Sequence, residues 1–466
     1  MTTSAVSVTS PAPHTTQPEP AISIPDVAYP NRHYGWYVMA VLFLANLCCY
    51  LARMVIILLI EPISHAIHIT DTQISLLQGA AFSIFFVLCG LPLGWLVDRR
   101  GRRNIILAAV VAWSVMAILC GLSTNYPQLF LSRTGLGIGE AALTPAALSL
   151  IADYFPPVRR GRAMSIFYMG AVIGSGAATT IGALILRRLD GGLQLPFLQS
   201  LAPWQAMFVL SGVPGILIAA LLLTVHEPRR QETARAAPIS TPIIAGISEP
   251  SVLRFMSARW RAFLPVLAST SLMQLCGFAV LAWVIPLLVR RDHMSVPDAG
   301  ATYGVVLVAV GIPAATVGGI ISDRFARSRR SGGRLRGLLY SYVIFAPGVV
   351  VLSLALTPLF AIVGLMFEVC GVCMAASMMY TVMSDIVPNQ LRGQAVAIVS
   401  MAATLVGATV GPTAVALATD RVFGDPLMIG YSILMVTLPC LAAGLALTLY
   451  GRPHYTMAQN ELHGRA

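Results

Sequence analysis

Four ionisable residues sit well inside stretches that are otherwise apolar: Arg53, Arg133, Glu140 and Glu368. Arg133 and Glu140 are seven residues apart in RTGLGIGE, so at 3.6 residues per turn they look into the same space about two turns apart. A charged group at the centre of a membrane helix costs roughly 2.5–3.5 kcal/mol, and a partner or a task must offset it. The residue types suggest the tasks. Arginine stays protonated in proteins, and its planar fork binds carboxylate or phosphate bidentately. A glutamate in a poorly solvated site can load and release a proton in a cycle. Together these are the parts of a site that grips an anion and trades protons. The plain alternative is a static Arg133–Glu140 or Arg53–Glu140 pair that neutralises buried charge. For Glu368, a substrate contact or a structural pair stands beside a second proton site.

The elements that position these residues are membrane spans. The chain has 466 residues, 57% hydrophobic and 11% charged, with mean hydropathy +0.78, values far from those of a soluble domain. At about 20 apolar residues per crossing, spans are expected near 36–60, 73–97, 104–122, 127–152, 163–186 and 206–225, then 262–288, 299–322, 336–357, 358–383, 394–418 and 428–450. Residues 1–33 are Ser/Thr/Pro-rich without the apolar core of a signal peptide and read as a disordered cytoplasmic tail. The expected order is then a six-helix half at 34–225, a cytoplasmic linker at 226–261, a second six-helix half at 262–450 and a tail at 451–466.

Charge placement orients the chain. All 30 basic residues are arginine, and they sit mostly in short clusters at 98–103, 159–162, 226–261 and 323–336, after every second span. This is the positive-inside pattern, with both termini and the linker in the cytoplasm. The net charge of +11 therefore serves topology rather than nucleic-acid binding. An all-arginine complement suggests a GC-rich genome and a bacterial inner membrane.

Other chemistries find no motif. The eight cysteines fall inside apolar segments as packing residues, and Cys370 and Cys373, though spaced as CxxC, lack a second pair, so neither a metal nor a cofactor is expected. No Walker-type loop or catalytic triad supports an ATP-driven pump or an enzyme. Gly135-x-Gly137-x-Gly139 has no strand before it and lies within a span, which favours close helix packing.

The two halves repeat. GWLVDRRGRR (94–103) matches GIISDRFARS (319–328) at an offset of 225, and DYFPPVRRGRA (153–163) matches DIVPNQLRGQA (385–395) at 232. Two homologous six-span halves imply a pseudo-symmetric transporter with its site near the midplane. The later offset puts the counterpart of Glu140 at Val372, one turn from Glu368.

Gly90-x3-Gly94-x3-Asp98-Arg99-x-Gly101-Arg102-Arg103 resembles the loop signature of the major facilitator superfamily, and its second copy carries Gly319, Asp323 and Arg324. Segments 70–94, 133–167 and 282–304 are similar to the spinster-like transporters, and the Arg-x6-Glu of the fourth span is shared with the anion:cation symporters. The resemblance implies an all-α membrane protein of twelve helices in two pseudo-symmetric halves. It also implies a central cavity lined by the first, fourth, seventh and tenth spans, the spans that carry the four ionisable residues. Gly94, Asp98, Arg99, Gly101 and Arg102, with Asp323 and Arg324, become a conformational latch that stabilises one access state, with Gly90 and Gly94 letting helices approach closely.

Within that cavity, Arg53 lies seven residues before the end of its span and Arg133 six after the start of its own, so the two should share a height and grip one anion. Tyr50, Gln274, Phe278 and Trp283 are further substrate-contact candidates. The families resembled carry Tyr-x-Asp-Arg in the first span, whereas this chain has Tyr50-Leu51-Ala52-Arg53. Proton coupling must then fall on Glu140 or Glu368, or be lost, and the cavity is left more positive. The expectation is a monomeric secondary active transporter in membrane lipid, moving a small organic anion with protons. The alternatives are a lysolipid, sphingolipid-like or drug exporter, or a non-transporting sensor on the same fold.

Overall fold

The computed structural model describes residues 31–188, 201–228, 252–327, 333–388 and 391–462. Twelve helices among them are long and apolar enough to cross a membrane: Arg32–Leu58, Asp71–Gly90, Arg102–Gly121, Tyr126–Tyr154, Arg159–Arg188, Pro203–Leu222, Trp260–Arg290, Val296–Phe325, Gly333–Leu354, Pro358–Ser384, Gln394–Phe423 and Pro426–Leu462. The twelve-span, two-half architecture expected from hydropathy is therefore the one observed. The last helix differs in running on to Leu462, with Pro453 inside it, where the sequence reading began a tail. The expected N-terminal tail up to Pro30 and most of the linker lie outside the described residues.

Helix starts follow local chemistry. The side chains of Asn31, Asn125 and Ser295 accept from the backbone N–H of His33, Gln128 and Asp298, each satisfying a donor that a helix N-terminus leaves orphaned. The third span follows Gly101, which has no side chain to do this. Glu227, just beyond the sixth span, does it instead, its carboxylate accepting from the N–H of Arg102 at 3.2 Å and of Arg103 at 2.7 Å.

Within each half the helices pack closely, the first on the fifth and the seventh on the twelfth. A β-carbon built on Gly137 would lie 2.6 Å from the Phe82 carbonyl oxygen, so the fourth span approaches the second as only glycine allows. The repeat is structural as well as sequential. Arg102 pairs with Asp153, and Arg334 pairs with Asp385 at 3.0 Å; both members of the second pair lie 232 residues after those of the first.

The halves meet on the face opposite the termini. Arg290, at the end of the seventh span, donates to Asp71 at 2.6 and 2.8 Å and to Glu61 at 2.8 Å, across the boundary between halves. Arg187 pairs with Asp298, and Thr72 donates to Asp420. Toward the termini the halves part. A β-carbon on Gly79 would overlap the Ala408 carbonyl of the eleventh span, but Gly90, eleven residues or about three turns along the same side, has nothing within 4 Å. Gly94 and Gly319 likewise meet open space. The close approach expected of Gly90 and Gly94 is not made in this conformation, because the second and eleventh spans have splayed apart by that depth. The interior thus opens on the face that carries the termini.

Candidate functional site

The first and fourth spans bring two of the four ionisable residues together. Arg53 Nη1 donates to Glu140 Oε1 at 3.0 Å, with the residues 9% and 3% exposed. The other carboxylate oxygen of Glu140 has no hydrogen-bond partner among the described residues. The Arg53 guanidinium lies 4.1 Å from the centre of the Phe82 ring, which stacks on Phe86 at 5.6 Å, and 5.5 Å from the Tyr50 ring. Ring quadrupoles attract such a cation, so the guanidinium is held on one side by aromatic faces and on another by a carboxylate.

Arg133 is at the same height. Its Nη1 reaches the backbone carbonyl of Arg53 and its Nε that of Leu77, each at 3.4 Å, long for hydrogen bonds. It is 1% exposed, and no carboxylate pairs with it among the described residues. Arg53, Arg133 and Gln78 supply the polar side chains of a cavity of about 40 Å³, whose opposite wall includes Phe278, Leu281 and Ala408 from the other half. The Gln78 amide nitrogen is buried and without a partner. Two guanidinium groups thus face one carboxylate, and the unspent positive charge belongs to Arg133.

A family model described as Major Facilitator Superfamily matches residues 42–412. The chain belongs to the Major Facilitator Superfamily. It is 28% identical over 304 residues to an MFS-type efflux pump of Mycolicibacterium smegmatis, covering 65% of this chain and 66% of that one. It is 26% identical over 319 residues to a probable galactarate/D-glucarate transporter of Bacillus subtilis, covering 64% and 66%. To human protein spinster homolog 1 it is 28% identical over 200 residues, covering 42% and 36%. The matches thus span less than two thirds of these relatives' own length. Among solved structures, a bacterial homolog of the human lysosomal transporter Spinster, inward-facing and unoccupied, superposes with a TM-score of 0.75 at 24% identity, covering 94% of this chain and 99% of that one.

Elsewhere in this Major Facilitator Superfamily fold, the remaining expected site residues scatter. Tyr50 stands beside Arg53, and Gln274 lies one turn along the seventh span from Phe278, its Oε1 buried without a partner. Trp283, expected as a substrate contact, is fully buried in this conformation, and its Nε1 donates to the Pro412 carbonyl at 2.9 Å, tying the seventh span to the eleventh. Glu368 is buried on the tenth span outside the arginine cavity, within electrostatic reach of Cys276, Tyr303 and Cys373.

The signature loop is likewise divided. The Asp98 side chain lies outside the described residues. Arg99 is exposed and stacks on Trp95 at 4.0 Å, and Arg324 is exposed. Arg102 is buried between Asp153 and Glu227 of its own half. Asp323 reaches Arg334 at 3.5 Å, also within one half. In this open arrangement these described contacts clamp each half rather than bridge the two.

Sequence reasoning missed Gln78, Arg334 and the Arg290–Asp71–Glu61 cluster. Arg334 was available, since it follows Arg102 by the same 232 residues that relate the aspartates. The cluster was not, because nothing in one sequence says which span ends meet.

Proposed function

We propose that the chain is a secondary active transporter that carries a small organic anion across a membrane by rocking its two halves about the arginine cavity. The observation that carries this is Arg133, a buried cation with no acidic partner among the described residues. Leaving a charge buried and unpaired is strongly unfavourable, and a carboxylate ligand arriving beside the unpaired Gln78 amide removes that cost. The sugar-acid transporters among the relatives, the probable galactarate/D-glucarate transporter and a probable L-galactonate transporter of Escherichia coli, fit an anionic substrate.

Glu140 is the proton-coupling group in this reading, with Glu368 a second. A proton on Glu140 cancels its charge and frees Arg53, so that both arginines turn to the substrate; loss of the proton restores the ion pair and weakens that grip. Arg102, Arg334 and the signature loop steady the halves while they rock, and the arginine-rich face with the termini is cytoplasmic. The substrate, protons and lipid are the partners, the chain acts as a monomer, and the cell inner membrane is its place. Export of a drug or lysolipid is the second reading, favoured by the efflux pump among the relatives.

Uptake of labelled carboxylates into proteoliposomes, with and without an inward proton gradient and normalised to folded protein, tests this. Proton-stimulated uptake should vanish in Arg133→Gln and lose most of its gradient dependence in Glu140→Gln. Movement of lysolipid alone, or carboxylate uptake indifferent to Arg133→Gln, sinks the proposal.

A further inference from the structure

The cavity's lining says what kind of anion fits. Of the residues around it, Arg53, Arg133 and Gln78 carry polar side-chain groups; Met54, Ile57, Phe278, Leu281, Ala408 and Pro412 have apolar side chains. Its volume of about 40 Å³ suits a head group of a few heavy atoms, so the body of any larger ligand must extend beyond it. The charge count is equally restrictive. With Glu140 ionised and on Arg53 at 3.0 Å, one positive charge is left over, so in that state a second carboxylate on the ligand would enter unpaired.

The way in from the open face is aromatic. Tyr50 and Phe86 are part-buried below Arg53, while Tyr168 of the fifth span and Tyr380 of the tenth are exposed. Tyr380 is within electrostatic reach of both Tyr50 and Tyr168. Phe278 supplies a ring at the blind end. Flat rings stack well on such walls, whereas sugar hydroxyls, each needing a partner once water is stripped away, would find few.

We propose that the transported anion is a monocarboxylate with a flat, apolar body, an aromatic acid being the simplest, and that hydroxyl-rich sugar acids are poor ligands. This rests on the anion reading above and narrows it: the carboxylate lies against Arg133 and Gln78 with Phe278 beside it, and the body extends along Tyr50 toward the open face. The inference separates this chain from the sugar-acid specificity in the names of its relatives.

The test is equilibrium binding to the purified full chain in detergent, read by tryptophan fluorescence and by thermal midpoint, with benzoate, phenylacetate, D-galactonate, galactarate and a lysophospholipid as probes. Benzoate and phenylacetate should bind at least 30-fold more tightly than D-galactonate and galactarate. Phe278→Ala should erode that preference, and Arg133→Gln should abolish carboxylate binding while leaving the thermal midpoint of the unliganded protein no lower. D-Galactonate or galactarate binding as tightly as benzoate overturns the flat-body proposal but keeps the anion reading. If no carboxylate binds, or binding survives in Arg133→Gln, both fall. Lysophospholipid binding that excludes benzoate overturns the small-acid proposal in favour of an amphiphile.

Discussion

Each half of the molecule buries one glutamate on a span expected to line the cavity, and the two are treated differently. Glu140 in the first half is locked at 3.0 Å to Arg53 and shares its space with Arg133. Glu368 in the second half has no arginine paired with it among the described residues and is within electrostatic reach of Cys276, Tyr303 and Cys373. The same asymmetry holds for the cavity walls, whose arginines come from the first half while Phe278, Leu281, Ala408 and Pro412 come from the second. At the face with the termini, by contrast, the halves are near copies, Arg102–Asp153 answering to Arg334–Asp385. Symmetry is kept at the face with the termini and lost in the arginine cavity.

The largest expected effect tests whether Glu140 balances real charge. Glu140→Gln leaves Arg53 buried without its partner and should destabilise the unliganded protein by about 3 kcal/mol. Restoring the charge balance with Arg53→Gln in the same chain should recover most of that. Thermal midpoints of the two singles and the double form the measurement, and additive losses would mean that the pair is not energetically coupled.

Next comes the closure opposite the termini. Arg290 holds Asp71 and Glu61 together with charge-assisted bonds of 2.6–2.8 Å, and it is part-exposed, so solvent screening trims its contribution to about 1–3 kcal/mol. Arg290→Ala should therefore shift the two-state balance toward the form open on that face by at least fivefold. Labelling of a single cysteine placed at Ala282 from that side, in a chain lacking its native cysteines, reads the shift. Unchanged labelling would show that the triad is not what closes the face.

How much of this was legible follows from which distances a sequence fixes. Span length is set by bilayer thickness, so the twelve helices could be counted. Along one helix the rise per residue is fixed, so Arg53 and Arg133 could be set at one height, and the Arg133 fork does reach the Arg53 carbonyl. The same rise explains which pair forms. Seven residues put Arg133 and Glu140 about 10 Å apart along their axis, too far for a direct bond, while Arg53 approaches from a neighbouring helix. Rotation between helices is not written in spacing. Spacing therefore does not show that the Trp283 indole meets Pro412, nor that Gly90 is left bare in this conformation.

Trp283 offers a smaller effect. Trp283→Phe keeps an aromatic ring but removes the donor to the Pro412 carbonyl, at a cost of about 1 kcal/mol. The thermal midpoint should fall while the apparent KM for carboxylate stays within about twofold. A KM that rises tenfold with stability intact would return Trp283 to the substrate site.

The smallest effect closes the comparison between the two glutamates. Glu368→Gln preserves shape, and with no arginine paired there it breaks no ion pair, so stability should change by less than about 1 kcal/mol, against the larger loss expected for Glu140→Gln. Its role appears only in coupling. If Glu368 is the second proton site, the proton stimulation that survives Glu140→Gln should disappear when Glu368→Gln is added, with exchange of carboxylate across the membrane unaffected. A Glu368→Gln protein that loses several kcal/mol would instead mean that this carboxylate holds a structural partner, and the second half would then share the charge pairing of the first.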